Sequence, residues 1–383
     1  MLKNCITVED YRRRARRALP APIYDYLAGG ADDEWSVSNN ENAFNRFQLM
    51  PEYLRDISKI DMSATVLGAK LAAPLILAPT GMSRLFHHEK EFGVVRAAHK
   101  AGLMYSLSTM STTSIEDVAS ASAGANMFQI YIHKDRSLTD EFVDRAKAAR
   151  YDALCLTVDT PLAGNRERDQ RSGFEIPPRL KLKSLLSFAA HPRWTYNLLR
   201  HPDFNLANLK GRQGTLGSSS GALGVIEYVN SQFDRTVTWD NVARIIERWG
   251  GPFAIKGLQS PEDAARAVDI GASAIMISNH GGRQLDFAPA PIDCVAPMRD
   301  KIGGQLELIV DGGVRRGTDV LKAVGQGANA VSFGRPYLYA LAAGGERGVQ
   351  QYLGALKDEL ARDMALLGAR NLSEIEERHC RPM

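Results

Sequence analysis

Short apolar runs recur along most of the chain, at residues 74–79, 103–107, 127–131, 153–158, 253–256, 274–278, 306–310 and 330–333. They are almost uniformly apolar and do not alternate, the pattern of strands buried on both faces. Between most of them lie segments with helical spacing and recognisable starts. SIEDVA, from Ser114, reads as a capping box, and in SPEDAARAV Ser260 is an N-cap before a proline at the first helical position. Strands that alternate with helices form parallel βαβ units. Eight such units predict an α/β fold, a closed (β/α)8 TIM barrel, in preference to an open doubly wound sheet.

Every run ends in a group able to hydrogen-bond or carry charge: Thr80, Ser108, Gln129 with Tyr131, Thr157 with Asp159, Lys256, Ser278 with His280, Asp311, and Gly334 with Arg335. In a barrel these ends meet on one rim, where active sites are built. Contact with solvent accounts for a few polar ends, not for a set holding Lys, His, Asp and Arg together. Two stretches stand outside the repeat. Residues 1–70 read as an N-terminal helical extension, with a helix over 8–19 and the segment YDYLAGGADDE. A long insert follows the fourth strand, within 161–251, and its Gly/Ser-rich middle, GRQGTLGSSSGALG, reads as mobile. One domain is expected over 1–383: the extension, a barrel over 71–346 with a mobile or membrane-contacting insert at 176–225, and C-terminal helices over 347–383. The GxSxG string around Ser219 is not on a strand-to-helix turn, so it does not indicate a serine hydrolase.

Composition narrows the function. Hydrophobic residues make up 44% and charged residues 24% of 383 positions, ordinary values for a globular protein. Lysine plus arginine total 47 against 44 acids, too even for a nucleic-acid binder. Cys5, Cys155, Cys294 and Cys380 form no CxxC pair, so neither a zinc site nor a disulfide framework is expected, and no metal. No window is apolar enough for a signal peptide or a membrane span, which places the chain in the cytoplasm.

Chemistry concentrates on five of the strand ends. DGGVRRG at 311–317 and FGRP at 333–336 combine glycines, a helix start and the cations Arg315 and Arg335, a cradle for a phosphate after strands seven and eight. GQGANA, from Gly325, matches a dinucleotide fingerprint in letters only, since it precedes a strand. SNHGGRQLD sets His280 and Arg283 on one tight loop, an imidazole to take a proton and a guanidinium to fork a carboxylate. Asp159, in LTVDTP, is placed to orient that imidazole, and Arg166, in GNRERD, is a second clamp; Arg168 and Arg171 read as solvated or structural. Lys256, in FAIKG, is either a Schiff-base nucleophile or a fixed charge near a cofactor or substrate. Together these features admit a phosphate-bearing cofactor such as FMN, or a phosphorylated substrate.

As a set, the motifs YDYLAGGADDE, APTGM, LST, FQIY, LTVDTP, NRERD, IKG, SNHGGRQLD, DGGVRRG and FGRP resemble the FMN-dependent L-2-hydroxy acid dehydrogenase and oxidase family over almost the whole chain. The pattern is nearest the bacterial respiratory L-lactate and (S)-mandelate dehydrogenases. The resemblance implies His280 as active-site base, held by Asp159, with Arg283 and Arg166 on the substrate carboxylate and Tyr26 and Tyr131 donating further hydrogen bonds. It implies that Lys256 stabilises reduced FMN. Pro79, Thr80, Gly81, Ser108, Gln129, Thr157 and Ser278 would line the isoalloxazine and ribityl chain, and Asp311, Gly313, Arg315, Gly334 and Arg335 the ribityl and phosphate. A small 2-hydroxy acid would become the 2-keto acid, and a homotetramer is usual in the family.

The family divides by electron acceptor: oxygen, cytochrome or membrane quinone. This chain carries no CxxCH. Residues 176–214 hold seven basic residues and one acid, Asp203, interleaved with leucines, Phe188 and Trp194, leaving the rest of the chain net negative. Such a segment suits a membrane interface. With the HPRW and LANL strings, it points to quinone as acceptor and to a peripheral position on the cytoplasmic face of the inner membrane. The alternative is a lid on a soluble oxidase that reduces oxygen to hydrogen peroxide; more remote is a non-catalytic flavin- or phosphate-binding barrel. Gly81, where glycolate oxidases typically carry alanine, leans toward the dehydrogenase. Met82 and Met110 are expected to shape the substrate pocket, Met110 standing where some relatives have tryptophan.

Overall fold

The computed structural model of the chain describes residues 2, 4–173, 182–201, 205–209 and 233–383. Each apolar run forms a strand: β1 (Leu75–Thr80), β2 (Met104–Ser108), β3 (Asn126–Ile130), β4 (Ala153–Thr157), β5 (Phe253–Lys256), β6 (Ala274–Ile277), β7 (Glu307–Asp311) and β8 (Ala330–Phe333). All neighbours pair in parallel, and β8 returns to β1 to close an eight-stranded barrel. The uniform apolarity follows from two buried faces. Ile76, Met104, Met127, Cys155, Met276 and Ile309 fill the interior, while their neighbours Leu77, Phe128, Leu156, Ile275 and Val310 pack under the helices.

The flanking helices begin where the caps place them. Ser114 Oγ accepts from Asp117 N at 3.1 Å, one half of the expected box, and Ser260 Oγ accepts from Asp263 N at 3.1 Å ahead of Pro261–Asp269. The extension does more than add helices. A hairpin of Ala64–Val66 and Ala69–Leu71 plugs the barrel end remote from the rim, with Val66, Leu67 and Leu71 against the interior side chains. The helix Val8–Ala18 lies on the long C-terminal helix Arg335–Leu367, where Tyr11 meets Tyr352 edge-on at 5.8 Å. That helix breaks at Gly344–Gly345. Nor is 347–383 helical to its end: Cys380–Pro382 pairs antiparallel with Phe47–Leu49 and buries Cys380. Strand pairing satisfies backbone groups that a short terminal helix would leave open.

The insert contributes two described helices, Leu182–Ala189 and Pro192–Arg200. Half of the 176–225 stretch, including the string around Ser219, lies outside the described residues. All four cysteines are buried and free. Among the described residues no helix is long and apolar enough to cross a membrane.

Candidate active site

The strand ends open into a single cavity of ≈ 990 Å³. Every residue given a catalytic, substrate or cofactor role in the sequence lines it except Asp159 and Ser278. Those two stand behind the wall and hold residues that line it. His280 Nδ1 is 2.9 Å from Asp159 Oδ1, which leaves the other ring nitrogen free. Burial pushes the Asp159 carboxyl up, but the His280 and Lys256 charges outweigh it and hold the group below the usual carboxylate range. Among the described residues, Asp159 Oδ2 is buried with no hydrogen-bond partner.

Local backbone makes this approach possible. Gly257, directly after Lys256, has φ +109°, and a Cβ there would stand 2.7 Å from Asp159 Cβ. His280 itself has φ +57°, a conformation that an imidazole-bearing residue adopts only when its surroundings impose it. The N-terminal extension supplies that constraint. Asn40 and Asn279 exchange amide hydrogen bonds at 2.8 Å in both directions, and Ala31 N donates to Gly282 O at 2.8 Å. Asp286 accepts from the backbone of Trp35 and Ser36.

Next to this pair lies a second charged group. Lys256 Nζ is 2.8 Å from Asp311 Oδ2 and 2.9 Å from Ser278 Oγ, and Ser278 Oγ donates to Asp311 at 2.8 Å. Burial lowers Lys256, but the carboxylates of Asp311 and Asp159 dominate and raise it well above the ordinary lysine value. A lysine so stabilised as ammonium is a poor amine nucleophile, which favours a fixed charge among the two readings of Lys256. Along the adjacent strand ends, Ser108 Oγ donates to Gln129 Oε1 at 3.1 Å, and Gln129 Nε2 donates to Thr157 Oγ1 at 2.9 Å. Thr80 Oγ1 lies 2.6 Å from the Tyr337 hydroxyl.

The arginines divide into neutralised and unneutralised. Arg315 pairs with Glu41 at 2.6 Å, and Arg168 pairs with Glu34. Arg283, by contrast, gives its hydrogen bonds to the carbonyls of Tyr26 and Gly29 and lies over the Tyr26 ring at 4.9 Å. Arg335 gives its own to the carbonyls of Leu27, Gly281 and Gly29. Neither has a carboxylate within ion-pair distance among the described residues. Burial and the nearby Arg166 push Arg283 down to about 10; burial likewise lowers Arg335. A buried, uncompensated cation costs several kcal/mol. Two such cations on one cavity wall, at the loops after β6 and β8, could receive two anionic groups. Arg166 also lies by Tyr26, 5.7 Å from the ring, and touches Asp169 loosely at 3.7 Å.

FMN fits this arrangement. Arg335 opens the C-terminal helix beside Gly334, so a helix start and an unpaired guanidinium face the place where a phosphate would sit. Sequence reasoning missed the apolar wall: Leu85, Phe86, Leu185, Phe188, Trp194 and Phe233 join Met82 and Met110 around the cavity. Their only signal was apolar residues inside a loop, which does not say what they face. Trp194 donates Nε1 to Leu85 O at 2.8 Å and packs on Phe188 at 5.3 Å, so it is docked on the protein. Its expected place among lipid-facing residues is corrected accordingly. At Gly81, a Cβ would stand 2.9 Å from Met110 Cβ, a packing reason for glycine that is independent of the electron acceptor.

The family described as FMN-dependent dehydrogenase matches residues 15–382. Glycolate oxidase 3 of Oryza sativa subsp. indica is 41% identical over 372 residues, covering 97% of this chain and 95% of that protein. Among solved structures, the monotopic membrane protein (S)-mandelate dehydrogenase superposes with a TM-score of 0.94 at 36% identity over 100% of both chains. Mandelate oxidase with (S)-4-hydroxymandelic acid superposes with a TM-score of 0.85 at 35% identity over 99% of both.

Proposed function

Because the chain belongs to the FMN-dependent dehydrogenase family and is an FMN-dependent 2-hydroxy acid oxidoreductase, we propose that its substrate is an L-2-hydroxy acid with a large apolar side chain, of the mandelate type. The observation that carries this reading is the apolar lining of the cavity that Arg283 shares, built from Met82, Leu85, Phe86, Met110, Phe188 and Trp194. A glycolate or lactate side chain would leave most of that surface without contact.

The roles follow from position. Arg283, with Arg166, grips the carboxylate, and Tyr26 and Tyr131 fix the hydroxyl end. His280 takes the proton through the nitrogen that Asp159 leaves free, and Asp159 holds the resulting imidazolium. FMN, when bound, supplies the two-electron acceptor for the substrate's α-carbon. Lys256, fixed by Asp311 and Ser278, sets a permanent positive charge beside the cofactor. Pro79–Gly81, Ser108, Gln129 and Thr157 would hold its ring system and ribityl chain with Asp311; Gly313, Arg315, Gly334 and Arg335 would hold its phosphate.

For the acceptor, we infer a membrane quinone, reached from the cytoplasmic face of the inner membrane by a homotetramer. Leu182, Leu186 and Leu199 on the insert are 72%, 62% and 74% exposed, among Lys183, Arg193 and Arg200, and the monotopic (S)-mandelate dehydrogenase has this fold. The inward docking of Trp194 and the likeness to glycolate oxidase favour a second reading, an oxidase that forms hydrogen peroxide. Turnover on glycolate, L-lactate and (S)-mandelate, followed with a quinone analogue and by peroxide release, tests both. Preference for mandelate with quinone reduction is expected; preference for glycolate overturns the substrate, and fast peroxide formation without quinone overturns the acceptor.

A further inference from the structure

Sequence reasoning excluded a metal because the cysteines are unpaired, yet three other side chains of ligand type stand together: His87, His88 and Glu89. One ligand atom of each lies within 4.8 Å of the others. The two imidazole rings are 4.3 Å apart, and His87 Nδ1 is 3.7 Å from Glu89 Oε2. Among the described residues, His88 Nδ1 is buried with no hydrogen-bond partner.

Three remote segments build this corner. The trio follows the loop after β1. The break in the C-terminal helix closes over it: Gly345 has φ +61°, and a Cβ there would stand 2.2 Å from Glu89 Oε2 and 2.7 Å from His87 Cε1. From the insert, His201 stacks on His88 at 5.0 Å. Each imidazole offers a ring nitrogen as a ligand, and His87 Nδ1 also receives Glu89 N at 3.3 Å.

Two imidazoles and one carboxylate with open positions suit a borderline divalent ion; magnesium and calcium prefer all-oxygen sites. We propose that His87, His88 and Glu89 bind a divalent transition-metal ion of the zinc class. Tetrahedral zinc ligands stand roughly 3.3 Å apart, so binding draws the three side chains inward. Leu85 and Phe86 line the substrate cavity, so the site adjoins the cavity without using its catalytic groups.

The test uses the full-length, FMN-loaded protein freed of metal with a chelator. Zn2+ is titrated by calorimetry, and Co2+ by its visible bands at wavelengths beyond flavin absorption. One saturable site per chain is expected, with Co2+ bands of a low-coordinate, nitrogen-ligated ion. His88→Asn should weaken Zn2+ binding at least about tenfold with basal turnover unchanged; Glu89→Gln should also weaken it and carries the comparison if His88→Asn loses its flavin. No saturable site in the wild type, or equal affinity in both variants, overturns the proposal and leaves the trio a packing device in which Glu89 receives Glu346 N.

Discussion

Two charged pairs stand side by side on the rim and are built to opposite ends. Lys256 and Asp311 are 5% and 8% exposed, and Ser278 bridges them, so each charge is matched on the spot. His280 and Asp159 are 27% and 11% exposed, and one carboxylate oxygen is left without a partner. A fixed charge is best held by saturating its surroundings, because a buried ion without partners is costly. A proton acceptor needs the reverse, one face secured and one open. The contrast predicts that the first pair carries stability and the second carries rate.

Replacing His280 with alanine should break the second pair where it matters. A loss of about 10²–10⁴-fold in kcat, the usual worth of a general base, is expected with flavin absorbance retained. Loss of flavin would make His280 structural and erase the contrast. Lys256→Met should do the opposite in the first instance. It strands Asp311 and should cost about 3–5 kcal/mol in denaturant unfolding, along with slower reduction by substrate. An effect confined to KM would contradict the role of Lys256.

Arg283→Lys keeps the charge and removes the fork. It should lose about 1.5–3 kcal/mol of substrate binding, seen as a rise of tenfold or more in KM with kcat less affected. Unchanged KM would show that the unneutralised guanidinium is not the carboxylate receptor. A subtler test uses pH. Asp159 is held below its ordinary value in the folded protein, so its contribution to stability is complete above about pH 4, the unfolded carboxylate value, and is lost as pH falls through the folded value. The Tm difference between wild type and Asp159→Asn should therefore shrink as pH falls below about 4. A difference that does not shrink there would mean that the carboxylate is not held in its ionised form. The smallest effect concerns the insert. Trp194→Ala should lower kcat/KM for an aryl substrate more than for lactate, without releasing the flavin.

Much of this site was legible in the chain. The uniformly apolar runs set the barrel, because a strand buried on both faces cannot alternate, and the polar residue after each run had only one rim to reach. SNHGGRQLD and DGGVRRG named the chemistry by residue type alone. The apolar wall was not legible, since Phe86 or Trp194 in a loop reads the same whether it faces substrate, lipid or core. The grip of Asn40, Ala31 and Ser36 on the His280 loop was hidden too, because those residues lie some 240 positions or more away and signal nothing locally.

The sequence by itself therefore determined the strand and helix order, the rim and the residue types on it, since these depend on periodicity and on which groups can hold charge. Only the tertiary structure decided which arginines are neutralised. Arg315 and Arg283 are alike as letters, but Glu41 reaches one and only carbonyls reach the other. It also decided that His87, His88 and Glu89 meet under a helix break and beside His201, because electrostatic partners are set by distance in space. A run of letters fixes composition and local geometry; it does not fix what lies within 4 Å across the fold.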